Sequence, residues 1–590
     1  GNLDEFDPDR IVVIIDDFHK IRFTKSKYKA NLISNLSKTY QNLFLTGNDM
    51  MQFDTYTSQA GIARNILEDF HRYQIIEFGP TLRYELIKKW NGIGSDQLEA
   101  NELIRLNNET ERHIESIIGK SFVPSYPIYL LTILQAKEAS TAQKPEYSIH
   151  GFYYELLIND ALDKAVKNKD DISLYYNYIT DYSYFLFVEK IRMQPLNIDG
   201  FIKFHNRYCI DYKIDISPKV VLDTLVSSKL IIVDGDTVAI TYKYVYYFFV
   251  ARYLAINISD EKIKHKIELL CQRVHRDEFA SVVMFLTHLS KDQFVLNQLL
   301  LNSKELFKEY QPLKLEDDVS FVNDMISKLP EQIYEPIDVE TIKQEELKEE
   351  EELDAQERQF DSSRDVYEYD IEEDITSLDV LSTIIKAIKT IEIVGQVTKK
   401  YWGELKAKQK YELAEETYML GLRTLGFHFS FVGTDTEMLV EYLKHIYRRK
   451  NPNRSISRQD IDKASRDFIF NLCSLSAFGI VKRVTNAIGY EKLAGTFHDI
   501  LVAHDFNSVK LIDTSIKLDH NRSFPWGELE KLKKDTEKNY LASIVLRNLV
   551  VNYLYVFNTS FKDKQKLCSM LGIKMEQQRM IDATSQVKRE

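Results

Sequence analysis

Residues 10–15 read RIVVII, a continuous apolar and largely β-branched run. It is closed on one side by Asp7-Pro8-Asp9 and on the other by Asp16-Asp17. An unbroken run of this kind, rather than an alternating one, suits a strand buried on both faces of a parallel sheet. The next residues repeat the theme. Residues 27–40 carry helical periodicity, and 42–46 (NLFLT) form a second short apolar strand ended by Gly47-Asn48-Asp49. Residues 58–73 are again helical, and 73–78 (YQIIEF) read as a third strand. Strand, helix, strand, helix, strand at this spacing predicts α/β units on a parallel sheet.

From Thr81 the period becomes helical, with Leu82, Leu86, Ile87 and Trp90 on one face. Further helices are expected at 98–106, 109–118, 126–136, 151–167 and 173–189. Residues 197–258 predict a small winged-helix unit. Helices at 200–209 and 217–227 lead into LIIVDGDTVAIT (230–241), two short strands around Asp234-Gly235-Asp236. That turn is a strong hairpin signal. An aromatic helix then begins near Tyr244, and 260–329 are helical. Residues 331–373 break the composition around KQEELKEEEELDAQERQ (343–359) and read as a solvated acidic linker or exposed helix. Amphipathic helices return over 375–568, for example at 378–394, 408–425, 436–449, 458–480 and 539–555. The chain carries only 20 glycines and 12 prolines in 590 residues, against about 7% and about 5% in ordinary proteins, so long uninterrupted helices are favoured.

The expected fold is therefore mainly α with an N-terminal partial α/β (parallel sheet) core, a helical domain, a winged helix and a C-terminal helical array. The expected boundaries are 1–80, 81–190, 191–258, 259–330, 331–375 and 376–590. The charge balance is −12, which disfavours nucleic acid as a general partner, because phosphate backbones need a basic face. Four cysteines, at 209, 271, 473 and 568, are far apart and form no CxxC pair. That excludes a disulfide scaffold and a Cys-rich zinc site, and fits a reducing cytoplasm. No signal peptide opens the chain. The most apolar window, 239–258, carries Lys243 and Arg252 and is expected to be a buried helix, not a membrane span.

Four or more apolar strand residues followed by two acids is the Walker B pattern of P-loop NTPases. Asp16 falls at the strand's C-terminal end, where open α/β sheets bind ligands, and would hold Mg²⁺. Asp17 would polarise the attacking water. The following strand ends in Thr46 and Asn48, positioned as polar sensors of the γ-phosphate. The phosphate loop itself, GxxxxGK[ST] upstream of Walker B, is missing. Gly119-Lys120-Ser121 is a decoy, since Ile114 stands where the first glycine is required. The chain opens on Gly rather than Met, and is expected to be a fragment whose phosphate loop lies N-terminal to residue 1 and which does not hydrolyse ATP alone. His19, His71, His113 and His150 show no metal-ligand spacing, and YRRKNPNR (447–454) reads as a solvated basic loop.

Taken in order, IVVIIDD, NLFLTGND, YQIIEFGPTLRYELIKKW, SFVPSYPIYLLTIL and a winged helix ending ITYKYVYYFFVARYLA resemble a STAND-class NTPase. These are NACHT and AP-ATPase relatives, bacterial counterparts of NOD-like receptors. The resemblance covers residues 10–258. It implies an ADP/ATP switch with Mg²⁺ that forms a homo-oligomer when the C-terminal helices meet a protein trigger. An N-terminal effector, outside this chain, is then activated, often in antiviral defence. By position it implies Pro127 against adenine. Relatives place a His before the aromatic helix of the winged domain to touch the β-phosphate; Tyr242, Lys243 and Tyr244 stand there, and Lys243 would act as a point charge. Relatives often carry Arg after the sensor Thr, where this chain has Gly47-Asn48. The alternative reading is a non-enzymatic helical scaffold with a vestigial NTPase core.

Overall fold

The computed structural model describes residues 11–16, 26–46, 70–71, 73, 77–93, 99–118, 125–143, 149–189, 191, 193–290, 292–361, 380–434, 436–450, 457–520 and 524–575. The described elements are mostly helices, with small sheets between them. The chain divides into two compact units, residues 1–77 and 78–590.

In the first unit, β1 (Val12–Ile15) pairs in parallel with β2 (Asn42–Leu45), Val12 opposite Asn42 and Ile15 opposite Leu45. Helix α1 (Ser26–Thr39) connects them, a crossover that parallel pairing requires. The expected burial of both strand faces is not met. Val12, Ile14 and Phe44 are 54%, 68% and 59% exposed, while Val13, Ile15, Leu43 and Leu45 are half-buried. The expected helix at 58–73 and the centre of the third strand fall outside the described residues.

The second unit begins with α2 (Pro80–Gly92), α3 (Ala100–Ile118), α4 (Pro127–Gln143), α5 (Ile149–Ala165) and α6 (Ile172–Val188). Two helices were expected between 98 and 118. One continuous α3 forms instead, and its Asn107 is buried, accepting a hydrogen bond from Asn91 Nδ2 at 3.0 Å. After α6 come β3 (Leu196–Asn197), α7 (Ile198–Tyr212), α8 (Pro218–Ser227), β4 (Ile231–Asp234), β5 (Thr237–Ile240) and α9 (Lys243–Ile256). The antiparallel sheet has the order β3-β5-β4. Asp234 faces Thr237 across the expected hairpin, and Gly235 takes φ +56° at the turn, a conformation that glycine adopts without steric cost. His205 of α7 is buried between Tyr178 Oη, 3.1 Å from Nδ1, and the Ile216 carbonyl, 2.9 Å from Nε2. A carbonyl only accepts, so Nε2 donates to it.

Helix α9 is the centre of the first core. Tyr244, Val245, Tyr246, Phe248, Phe249, Val250, Ala251 and Leu254 are all buried, against α6 and α11 (Asp277–Leu289). Tyr184 stacks on Tyr253 at 3.7 Å, and Phe249 meets Tyr176 edge-on at 5.1 Å. Helices α10 (Glu261–Gln272) and α12 (Gln293–Glu305) complete this region.

The acidic stretch expected as a linker or exposed helix forms α13 (Val339–Asp361), and it is docked. Leu347 is fully buried, Lys343 pairs with Glu111 at 2.9 Å and lies over the Tyr84 ring, and Lys88 pairs with Glu340 at 2.8 Å. Its outer face stays solvated, and one stripe turns inward.

A second core is built by α14 (Val380–Lys400), α15 (Ala407–Thr434), α16 (Thr436–Lys450), α17 (Arg458–Ile488), α18 (Ala494–Ala503), α19 (Asn507–His520), α20 (Trp526–Thr536), α21 (Tyr540–Val556) and α22 (Phe561–Leu571). A short parallel pair, Ile333–Tyr334 with Lys574–Met575, joins the segment before α13 to the strand after α22. Helix α14 serves both cores, giving Ile393, Val394 and Val397 to the first and Ala387 and Ile391 to the second. Gly395 lets it cross α17 closely, since a Cβ there would sit 2.7 Å from Ala487 Cβ and 2.9 Å from its carbonyl carbon. Helix α17 is long and apolar enough to cross a membrane by length and composition. Here one of its faces, with Ile469, Phe470, Cys473, Ala477, Val481 and Val484, is core.

The tie between α12 and α15 is polar. Arg423 donates to Glu416 at 2.6 Å, to the Ser303 carbonyl at 2.9 Å and to the Leu306 carbonyl at 3.2 Å; Ser303 Oγ donates to Glu416 at 2.8 Å. Both charged residues are buried. Breaking a buried pair strands its partner, so Arg423→Met is expected to lower stability by about 3–5 kcal/mol in urea unfolding. A loss under about 1 kcal/mol would show that Glu416 finds other partners.

Candidate functional site

The carboxyl end of the β1–β2 pair brings two of the candidates together. The Thr46 amide donates to the Ile15 carbonyl at 3.0 Å, continuing the parallel ladder by one residue. That fixes Thr46 beside Asp16, and its hydroxyl donates to the Asp16 carboxylate. Both residues are exposed. An exposed carboxylate and a hydroxyl are hard oxygen donors, suited to Mg²⁺ that keeps waters and phosphate oxygens in its shell. Asp17 and Asn48, the hydrolytic and second sensor candidates, lie outside the described residues. Among the described residues no three His, Cys, Asp or Glu side chains group with metal-holding geometry, which does not conflict with a cation that takes one or two carboxylates plus phosphates.

In the second unit, Pro127 is the first residue of α4 and Lys243 the first of α9, and both are exposed. Pro at a helix start costs no hydrogen bond. The two helix starts meet through tyrosines. The Tyr126 and Tyr129 rings are 6.5 Å apart, Tyr129 and Tyr242 6.2 Å edge-on, and Tyr242 and Tyr244 5.7 Å stacked. The series continues inward through Tyr154, 5.6 Å from Tyr244, to Phe285, 4.6 Å from Tyr154. Burial, and then a hydrogen bond to Tyr242, push the Tyr129 phenol well above its ordinary range. Burial does the same for Tyr244 and Tyr154. These rings are neutral at physiological pH. The locus thus offers a proline face and a wall of uncharged aromatics, with one exposed ammonium at the positive end of a helix. Such a surface suits a flat heteroaromatic ring and a phosphate.

Tyr126 and Tyr129 escaped the sequence reading, and Tyr242 entered it only as the residue before Lys243. Residues 244–246 and 248–249 are buried, but Tyr242 is half-buried at the rim. The available signal was position: both PSYPIY and TYKYVY place tyrosines around a helix start. Gly119, Lys120 and Ser121 lie outside the described residues, as do His19 and the side chains of His113 and His150. His71 is exposed. The four cysteines are free thiols. Helix α16 runs to Lys450, and 451–456 of the basic loop lie outside the described residues.

Residues 195–250 match the family described as novel STAND NTPase 4. No curated protein matches the chain. The matched stretch runs from just before β3 into α9, and includes Tyr242 and Lys243 but not Asp16, Thr46 or Pro127. The match supports a relationship to STAND-type NTPases and, through it, a nucleotide-dependent signalling role.

The tyrosine series also sets an alkaline limit. A phenol whose folded pKa lies above its unfolded value of about 10 keeps its proton only in the folded state once the pH exceeds 10. Stability then falls as pH rises. Unfolding free energy is expected to hold to about pH 9 and to drop steeply above about pH 10, with phenolate absorbance appearing together with loss of helix by circular dichroism. Phenolate appearing fully in protein that stays folded would contradict the burial described for Tyr129, Tyr154 and Tyr244.

Proposed function

We propose that this chain is the nucleotide switch and sensor of a STAND-type signalling NTPase that holds ADP, exchanges it for ATP with Mg²⁺, and oligomerises when triggered. The family match over 195–250 carries the proposal. The order β3-β5-β4, with α7, α8 and α9 packed on it, supports reading 191–258 as the winged-helix domain. Asp16 would hold Mg²⁺ with Thr46 as sensor, a role supported by their shared hydrogen bond. Asp17 and Asn48 would act in hydrolysis and sensing. Pro127 would pack on the base and Lys243 would meet a phosphate, a division of labour supported by the tyrosine contact that joins their helices.

The trigger is proposed to be a protein that binds the C-terminal helices. Phe468, Leu472 and Leu475 are 56%, 43% and 62% exposed at helical spacing along the outer face of α17, as an interaction surface would be. Activation of an N-terminal effector, a cytoplasmic setting and a role in bacterial antiviral defence complete the proposal.

The test is nucleotide extraction and chromatography on protein expressed from its natural start, beside Lys243→Met and Asp16→Ala. About one ADP or ATP per chain is expected in the parent, with at least tenfold weaker retention in Lys243→Met. Well-folded parent protein that carries no nucleotide and binds no added ATP·Mg²⁺ would overturn the switch and leave the helical scaffold reading.

A further inference from the structure

Helix α18, with the turn before it, and helix α19 enclose a small cavity. Its volume is about 50 Å³, room for about four water-sized groups. Tyr490 and Phe497 give it aromatic walls, and Glu491, His498, Asp513 and Lys517 line the rest with polar groups. Asp513 is 6% exposed, a carboxylate drawn almost wholly out of water. Lys517 Nζ meets Asp513 Oδ2 at 2.9 Å and Glu528 Oε2 of α20 at 2.5 Å. One ammonium is thus shared by two carboxylates, and Glu491 brings a third to the same lining. Burial pushes the Asp513 carboxyl above its ordinary value; the Lys517 ammonium opposes this and the Glu528 charge adds to it.

Tyr418 of α15 stands behind the lining. It is fully buried, and its ring lies 6.2 Å from that of Phe497. Its hydroxyl makes no hydrogen bond. Burial, and then the Asp513 charge, push its phenol well above the ordinary value, so it is a neutral group beside a buried acid. A buried hydroxyl without a partner is a cost that a polar guest would remove.

The plainer reading is a packing gap filled by water. Water would satisfy the Tyr418 hydroxyl. It would not match the charge of Asp513, and a desolvated carboxylate is stabilised by pairing. An anion suits the cavity poorly, because it would face Asp513 and Glu491 while Lys517 is engaged twice. A guanidinium suits it in size, in the N–H fork it turns to a carboxylate and in the flat cationic face it lays on aromatic rings. We propose that this cavity receives an arginine side chain of the protein trigger, its guanidinium paired with Asp513, its face against Tyr490 and Phe497, and the Tyr418 hydroxyl as a further acceptor. The inference rests on the C-terminal helices being the trigger surface and names the chemistry they recognise. It uses no residue of the nucleotide face.

The test titrates Nα-acetyl-L-arginine amide into the full chain, beside its neutral isostere Nα-acetyl-L-citrulline amide and free L-arginine. Saturation-transfer NMR reads the ligand, and thermal stability reads the protein. Saturable transfer to the arginine methylenes is expected, with at least fivefold weaker binding of the citrulline probe. Asp513→Asn should abolish the preference for arginine over citrulline, and Tyr418→Phe should weaken arginine binding two- to threefold. Both keep the side chain's shape, and circular dichroism checks their folding. Ala494 is exposed on the lining, so Ala494→Phe should fill the cavity, fold with unchanged Tm and bind no probe. Free L-arginine binding more tightly than the blocked probe would identify a small-molecule ligand and overturn the assignment to the trigger. No saturable binding of the arginine probe, equal binding of the citrulline probe, or binding that survives Asp513→Asn and Ala494→Phe would overturn the site itself. Retention of co-purified nucleotide should be unchanged in Ala494→Phe, so failure of the nucleotide switch and failure of this site are read separately.

Discussion

The larger unit depends on the burial of α9. Eight consecutive or near-consecutive side chains, from Tyr244 to Leu254, leave water together, each large one contributing about 1.5–3 kcal/mol. A helix buried on nearly all sides cannot rotate or slide without opening its contacts to α6 and α11. Its first residues are fixed with it. Tyr242 is therefore held against Tyr129, and Lys243 is held near the start of α4. The candidate nucleotide face is thus a by-product of core packing. Neither Pro127 nor Lys243 is buried, yet both stand on helices whose positions are set by the first core.

A second constraint couples that core to the rest. Helix α14 contributes one face to each core, and Gly395 brings it against α17 at a distance no side chain would permit. The Arg423–Glu416–Ser303 network adds a directional tie between α12 and α15. Buried and fully satisfied, such a network specifies one arrangement more than it adds stability. Helix α13 lays an acidic strap across α2 and α3 through Lys343, Lys88 and Leu347. A change in how the two cores meet has to pass through these few contacts.

Much of this was legible in the sequence. Long helices were visible because their apolar periodicity is strong and Gly and Pro are scarce, and the hairpin at Gly235 because its turn chemistry is local. What escaped depends on partners distant in sequence. RIVVII reads as doubly buried, but burial is decided by what covers the strand, and Val12 and Ile14 stay open. The acidic stretch concealed an inward stripe, with Leu347 buried and Lys343 half-buried among solvated neighbours. At the candidate site, Asp16, Thr46, Pro127 and Lys243 are proposed from motif order alone. Tyr129 was not, because its contact with Tyr242 becomes meaningful only when α4 meets α9.

The central claim is that the starts of α4 and α9 present a face to a nucleotide. Photo-crosslinking with an azido-adenine nucleotide, followed by peptide mapping, tests it most directly. The account predicts label on the peptide carrying Tyr126, Pro127 and Tyr129 or on the one carrying Tyr242 and Lys243, competed away by ATP. Competable label confined to other peptides, or no competable label on folded protein, would contradict it.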